Sequence, residues 1–303
     1  MTIYFETNSD GSKSSSAINS GKKEGIGAIL QSQLLLYAIC KKFGVEFYNQ
    51  GFKNIGHSTY SEYSQEEWDN LFTNFFNLTT NKTIDYKLPF KRIDEGFISF
   101  IETQKNSSED YLIYLDSEEV LRYGQSIIEE IYQKKYLIDL KNNFNFDQNY
   151  FLDQELNIAL HIRSINPEDI QFCIEQDVRE LYTQNEEFRY IRLINDLKKV
   201  SSGEKTNLHI YSQGRKDQFS NILELQETDF KISLHLNENP ISDIYHMCHS
   251  DLLIMSNSSF SWIVHLLNYN STLVRDNFWH STYSNNLKLD TNYSFNTNKL
   301  RIV

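Results

Sequence analysis

Cysteine is scarce in this chain of 303 residues. Its 3 cysteines, Cys40, Cys173 and Cys248, are odd in number and far apart, and no CxxC pair exists. That excludes a disulfide framework and a zinc knuckle, and it fits a reducing, cytoplasmic setting. Basic residues are outnumbered, with 29 Lys+Arg against 41 Asp+Glu and a formal charge of −12. Without a long basic run the chain is a poor nucleic-acid binder, because neutralising phosphates needs clustered Lys and Arg. A small anionic ligand, which needs only a few local donors, is not excluded. No run of 18 apolar residues occurs, so no integral membrane span is expected. The N-terminus, MTIYFETNSDGSKSSS, is acidic and polar where a signal peptide would be basic and then apolar.

Catalytic signatures are absent too. No G-x-S-x-G elbow is present, which disfavours a hydrolase triad. Gly11 to Lys22 lacks the glycine spacing of a P-loop, and Lys23 stands where Ser or Thr belongs. His246 and His249 flank Cys248 at helical spacing, but too few further ligands accompany them for a metal site, so packing is the expected role. Six Asn-x-Ser/Thr sequons begin at Asn77, Asn81, Asn106, Asn257, Asn270 and Asn292; in so Asn-rich a chain they read as compositional.

Hydrophobic residues make up 40% of the chain and aromatics 14%, enough to build buried cores. The length suits two domains, divided at an Asn-rich, acidic stretch over 140–155 into 1–150 and 151–303. In the first half, strands are predicted at 2–5, 45–48 and 111–115, with helices at 29–43 and 118–138. The mixed region 60–105 reads as helical. In the second half, strands are predicted at 157–163, 207–212, 232–236, 252–255 and 271–274. Helices are predicted at 175–200, 216–225, 241–249 and 259–269, the first with Leu181, Phe188, Ile191, Ile194 and Leu197 toward the core. Strand and helix alternate with short polar turns, the signature of a parallel, doubly wound sheet.

In such sheets ligands bind beyond the carboxyl ends of the strands. Polar residues collect there: His161, Arg163 and Ser164; then Ser212, Gln213 and Gly214; then Asn237, Glu238 and Asn239; then Ser256, Asn257, Ser258 and Ser259. The last group opens a helix, where hydroxyls, backbone N–H groups and the helix dipole converge as a phosphate would require. Ser258 or Ser259 also reads as a plain N-cap, Arg163 as a surface cation and His161 as a core histidine. Arg163 at a strand end suits bidentate pairing with a diphosphate.

Four segments resemble the fucosyltransferase-like glycosyltransferases. His161-Ile162-Arg163 resembles their H-x-R element, His209 to Gly214 their HIYSQG strand-turn, and Ser256 to Ser261 their SSFS segment. Asn277-Phe278-Trp279-His280 is similar to their closing FWH, and Glu24-Gly25-Ile26-Gly27 with Gln31 to their Gly-rich first loop. Ser164-Ile165-Asn166 stands where the family has Arg-Gly-Asp.

The resemblance implies a GT-B type α/β fold, two Rossmann-like domains facing across a cleft. A nucleotide-sugar donor sits on the C-terminal side and a glycan acceptor on the N-terminal side. It also implies inverting transfer with no obligatory metal or other cofactor, and the chain has no Asp-x-Asp pair. Arg163 and His161 become the expected catalytic residues. Ser212, Gln213, Gly214, Asn257, Ser258, Ser259, Gly25 and Gly27 become the expected donor-binding residues. Fucose from GDP-fucose is the first choice of donor. For the base that deprotonates the acceptor, Glu24 and Asp116 are candidates by position only, each reading more readily as a solvated or structural carboxylate. Two rival readings follow from the missing Arg-Gly-Asp and the shared two-domain shape: a non-catalytic nucleotide-sugar or glycan-binding module, and a sugar-nucleotide epimerase.

Overall fold

The computed structural model describes residues 3–7, 25–48, 86–105, 109–142, 155–163, 186–276 and 278–297, and singly 64, 66, 67, 70, 71, 73 and 151. The chain divides into two compact units: Met1–Asn145 with His280–Ser284, and Phe146–Trp279 with Asn285–Val303. Both are α/β units built on parallel sheets.

The first unit holds β1 (Ile3–Thr7), β2 (Glu46–Phe47), β3 (Tyr86–Phe90) and β4 (Tyr111–Leu115), in the order β2-β1-β4-β3. Every neighbour is parallel. Between β1 and β2 runs α1 (Ile26–Phe43), nearly all of whose middle turns are buried. It stops at Gly44, whose φ of 63° is the left-handed conformation that glycine adopts without a Cβ penalty. The region 60–105, predicted helical, contains the strand β3 before the helix α2 (Glu95–Gln104). Edge position explains why a proline-bearing strand forms: Pro89 lacks a donor, and only a sheet edge tolerates that loss.

The stretch predicted as one helix over 118–138 is three: α3 (Ser117–Ser126), α4 (Ile128–Lys134) and α5 (Ile138–Asn142). Ile127, at φ −110° and ψ 20°, separates α3 from α4, and Lys135, at φ 52°, ends α4 before α5. The first residues of the expected linker are helical, with Leu140 of α5 buried; residues 143–150 and 152–154 lie outside the described residues. Close packing of α1 on α3 depends on Gly124, because a Cβ there would meet Leu35 at 2.8 Å.

The second unit holds β5 (Leu156–His161), β6 (Thr206–Ser212), β7 (Phe230–Leu236), β8 (Leu252–Ile254), β9 (Ser271–Arg275) and β10 (Leu287–Leu289). Their order is β10-β9-β8-β5-β6-β7, parallel throughout. Counted from β5 as first, this is the doubly wound order 3-2-1-4-5-6, whose switch point falls between β5 and β8. The connecting helices are α6 (Glu186–Val200), a 3₁₀ turn (Lys216–Phe219) leading into α7 (Ser220–Leu223), α8 (Pro240–His249) and α9 (Ser259–Leu267). The short β10 carries too little pattern to be predicted from sequence.

One sheet face is apolar. Ile158, Leu160, Leu208, Ile210, Leu252, Ile254 and Leu273 pack there with Tyr190, Leu193, Ile194 and Leu197 of α6. Phe188, expected in this core, is 68% exposed. Two residues from Tyr190 it lies about 200° around the helix, and the spacing of Tyr190, Leu193, Ile194 and Leu197 sets the buried stripe instead. Leu181 and the predicted turns over 175–185 lie outside the described residues.

The opposite face departs from the continuous apolar pattern of a buried parallel strand. In-register rows bring Ala159, His209 and Ser233 side by side, and His161, Tyr211 and His235 beside one another. His209 and His235 share a hydrogen bond of 3.0 Å, and the Tyr211 and His235 rings stack at 4.6 Å.

Candidate functional site

The switch point between β5 and β8 is where the crossovers of a doubly wound sheet leave in opposite directions and where such sheets bind ligands. His161 closes β5 and is buried. Its Nδ1 lies 2.7 Å from Ser256 Oγ, which tethers the end of β5 to the loop after β8. The ring packs on Phe260 of α9 with centroids 5.4 Å apart. Burial, and then the charge of Arg163, push the His161 pKa down to about 3. The imidazole is therefore neutral near pH 7. It offers a hydrogen bond rather than a charge, and it is too weak a base to take a proton from an acceptor hydroxyl. Arg163 follows two residues later, half-buried.

From β8 the chain turns through Ser256, Asn257 and Ser258 into α9, and all three are buried. Ser258 is the N-cap; its Oγ accepts from the Phe260 N–H at 3.2 Å. Ser261 Oγ donates to the carbonyls of Ser256 and Ser258 at 3.0 and 3.1 Å, holding the loop against the helix. Ser259 opens the first turn half-buried. No acidic side chain stands in that turn, so the positive end of the helix dipole is uncompensated from within it. His161 therefore ends, and Arg163, Asn257, Ser258 and Ser259 follow, the two strands that flank the switch point.

The other predicted residues belong to other elements. Ser212 ends β6 and its Oγ donates to the Ile162 carbonyl at 2.7 Å, a strand-to-strand tie. Gly214, at φ 124°, spends both backbone groups on Asn237. Its N–H donates to Asn237 Oδ1 at 3.0 Å, and Asn237 Nδ2 donates to its carbonyl at 2.8 Å. That φ is one L side chains rarely adopt, so the turn favours glycine, and a Cβ would also displace the Gln218 side chain, whose Oε1 would lie 2.4 Å away. Gln213 is exposed beside it. In the first unit, Gly25 is the N-cap of α1 with no side-chain bond, and its carbonyl accepts from Ala28 and Ile29 at 3.0 and 3.3 Å. Gly27 is buried in that first turn. Asp116 caps α3 by accepting from the Glu118 N–H at 2.9 Å. Glu24, Ser164 to Asn166 and Asn277 lie outside the described residues.

Sequence reading did not single out Ser256 as the partner of His161, nor Asn237 as the clamp on Gly214. Both stood in the polar groups at strand ends, but pairing across 95 and 23 residues is visible only once the strands are ordered. Asp243 on α8 was missed entirely; it is buried, and burial followed by the charge of Glu238 raises its pKa well above the usual carboxylate range. Within the described residues no three His, Cys, Asp or Glu side chains gather as a metal site, and no helix is long and apolar enough to cross a membrane. His246 and Cys248 are buried, and Cys248 Sγ donates to the Tyr245 carbonyl at 3.2 Å, in keeping with packing.

The fold defines an α/β protein of two parallel-sheet units, the second in doubly wound order. No protein-family model and no curated protein matches the chain. Among solved structures, POFUT1 in complex with GDP is similar at a TM-score of 0.43 and 14% identity, over 89% of this chain and 95% of that one. POFUT1 in complex with GDP-fucose is similar at 0.42 and 14%, over the same shares. A mutant of Arabidopsis thaliana FUT1 in complex with GDP is similar at 0.39 and 9%, over 95% of this chain and 69% of that one. With TM-scores below 0.5, these likenesses decide nothing about activity.

Proposed function

We propose that the chain is a glycosyltransferase whose second unit binds a nucleoside diphosphate sugar at the β5–β8 switch point, with GDP-fucose the first choice of donor and a glycan hydroxyl as acceptor. The observation that carries this reading is the bond between neutral His161 and Ser256, which ties the strand end that leads into Arg163 to the serine-capped start of α9. That set matches the needs of a diphosphate: one planar cation, hydroxyl donors and a helix N-terminus.

In this reading the diphosphate lies at the α9 start, with Arg163 meeting the charge that grows as the glycosidic bond breaks. Serving as a positioning residue, His161 holds Ser256, and through it the loop into α9. Transfer inverts the sugar and needs no metal. The deprotonating base is not among the residues assigned.

The test is thermal melting with GDP, UDP, ADP and their sugars, with and without EDTA. A ligand at about 100 times its Kd adds about 2.7 kcal/mol. Stabilisation by one nucleotide series that survives EDTA is expected, with sugar transfer to a glycan acceptor. Failure of every nucleotide to stabilise would sink the proposal. Interconversion of free sugar nucleotides would make the chain an epimerase, and binding without turnover across a broad acceptor panel a binding module.

A further inference from the structure

The loop into α9 has a nearly complete hydrogen-bond account. Ser256 Oγ is paired with His161, Ser258 Oγ with the Phe260 N–H, and Ser261 Oγ with two carbonyls. Asn257 is the exception. It is 7% exposed, and its Oδ1 is buried with no hydrogen-bond partner. Native structures rarely leave such an atom unmatched, because desolvating it without a partner is costly.

We infer that Asn257 is a specificity residue whose amide oxygen accepts a hydrogen bond from a hydroxyl of the bound ligand, next to the phosphates. The inference rests on the proposed nucleotide-sugar site. Phosphate oxygens at neutral pH are acceptors, so they cannot satisfy a second acceptor, and the partner must bring a donor. In a nucleoside diphosphate sugar the hydroxyl donors flanking the phosphates are on the ribose on one side and on the sugar on the other. Asn257 therefore discriminates between ligands by their hydroxyls, while Arg163 and the helix start hold their charge.

The experiment is calorimetric titration of wild type and Asn257→Ala with pyrophosphate, GDP, 2′-deoxy-GDP and GDP-fucose, alongside melting of each protein without ligand. The variant is expected to melt at or above the wild-type temperature, since it deletes an unmatched buried acceptor. Its affinity should fall about tenfold or more only where the hydroxyl is present. Loss confined to GDP-fucose assigns the sugar; loss for GDP and GDP-fucose but not 2′-deoxy-GDP assigns the ribose. Equal loss for pyrophosphate, which would follow if the amide nitrogen faced a phosphate, overturns the inference, as does unchanged affinity for all four. A variant that melts far below wild type, or fails to fold, also overturns it by making Asn257 structural. If wild type binds none of the four and no UDP or ADP compound either, the nucleotide-sugar reading falls first; if wild type binds and the variant binds equally, only the role of Asn257 falls.

Discussion

Replacing His161 by Phe probes whether a neutral, buried imidazole ties β5 to the loop before α9. Phenylalanine keeps a ring of similar shape against Phe260 but leaves Ser256 Oγ without its 2.7 Å partner. At pH 8 the variant should lose about 1–3 kcal/mol, the cost of an unmatched buried polar group. The sign of the pH effect follows from the depressed folded-state pKa, about 3 against an ordinary 6.5. Below 6.5 the unfolded chain takes up the proton and the folded chain does not, so stability is complete above 6.5 and is lost as pH falls toward 3.

Between pH 8 and pH 5 this residue alone removes about 1.5 pKa units of stabilisation, or about 2 kcal/mol. Other buried histidines with the same depression, His209 and His265, contribute equally to both proteins and cancel in the comparison. Urea unfolding at the two pH values measures the difference. Wild type should lose about 2 kcal/mol more than His161→Phe on acidification, so the gap at pH 8 closes at pH 5. Identical pH dependence in the two proteins would refute a buried neutral His161. Adding Ser256→Ala to the variant should recover most of the loss at pH 8, because the stranded hydroxyl is then gone.

Gly124→Ala forces a Cβ to within 2.8 Å of Leu35 and should destabilise the first unit by about 1–3 kcal/mol in denaturant titrations, whereas an unchanged midpoint would mean α1 yields freely. Ser258→Ala removes the N-cap acceptor of α9 and should cost about 1 kcal/mol of stability; it should also weaken nucleoside diphosphate binding more than nucleoside binding, and equal weakening would place the phosphates elsewhere. Arg163→Lys keeps the charge but loses the planar fork, so its melting temperature should hold while kcat/KM for transfer falls about a hundredfold or more. Near-normal activity would leave Arg163 a surface cation.

Local pattern made much of the second unit legible before its structure. The strand read over 157–163, observed to end at His161, the strands ending at Ser212 and Leu236 and the helix opening at Ser259 follow from short apolar runs bounded by polar turns, a signal carried by neighbouring residues. So does Tyr111 to Leu115 in the first unit. Where local pattern was weak, tertiary context decided. The edge strand with Pro89 is tolerated by its place in the sheet, and Phe188 is turned outward by a stripe that only packing selects.

The candidate site divides the same way. Residue type and position at strand ends already marked His161, Arg163 and the Ser256 to Ser259 segment, because ligands bind beyond the carboxyl ends of such strands. Strand order was beyond the sequence, since hydrogen bonds between strands 50 or more residues apart leave no trace in local composition. It alone put β5 beside β8, paired His161 with Ser256, gave the Gly214 backbone to Asn237, and left Asn257 Oδ1 buried without a partner.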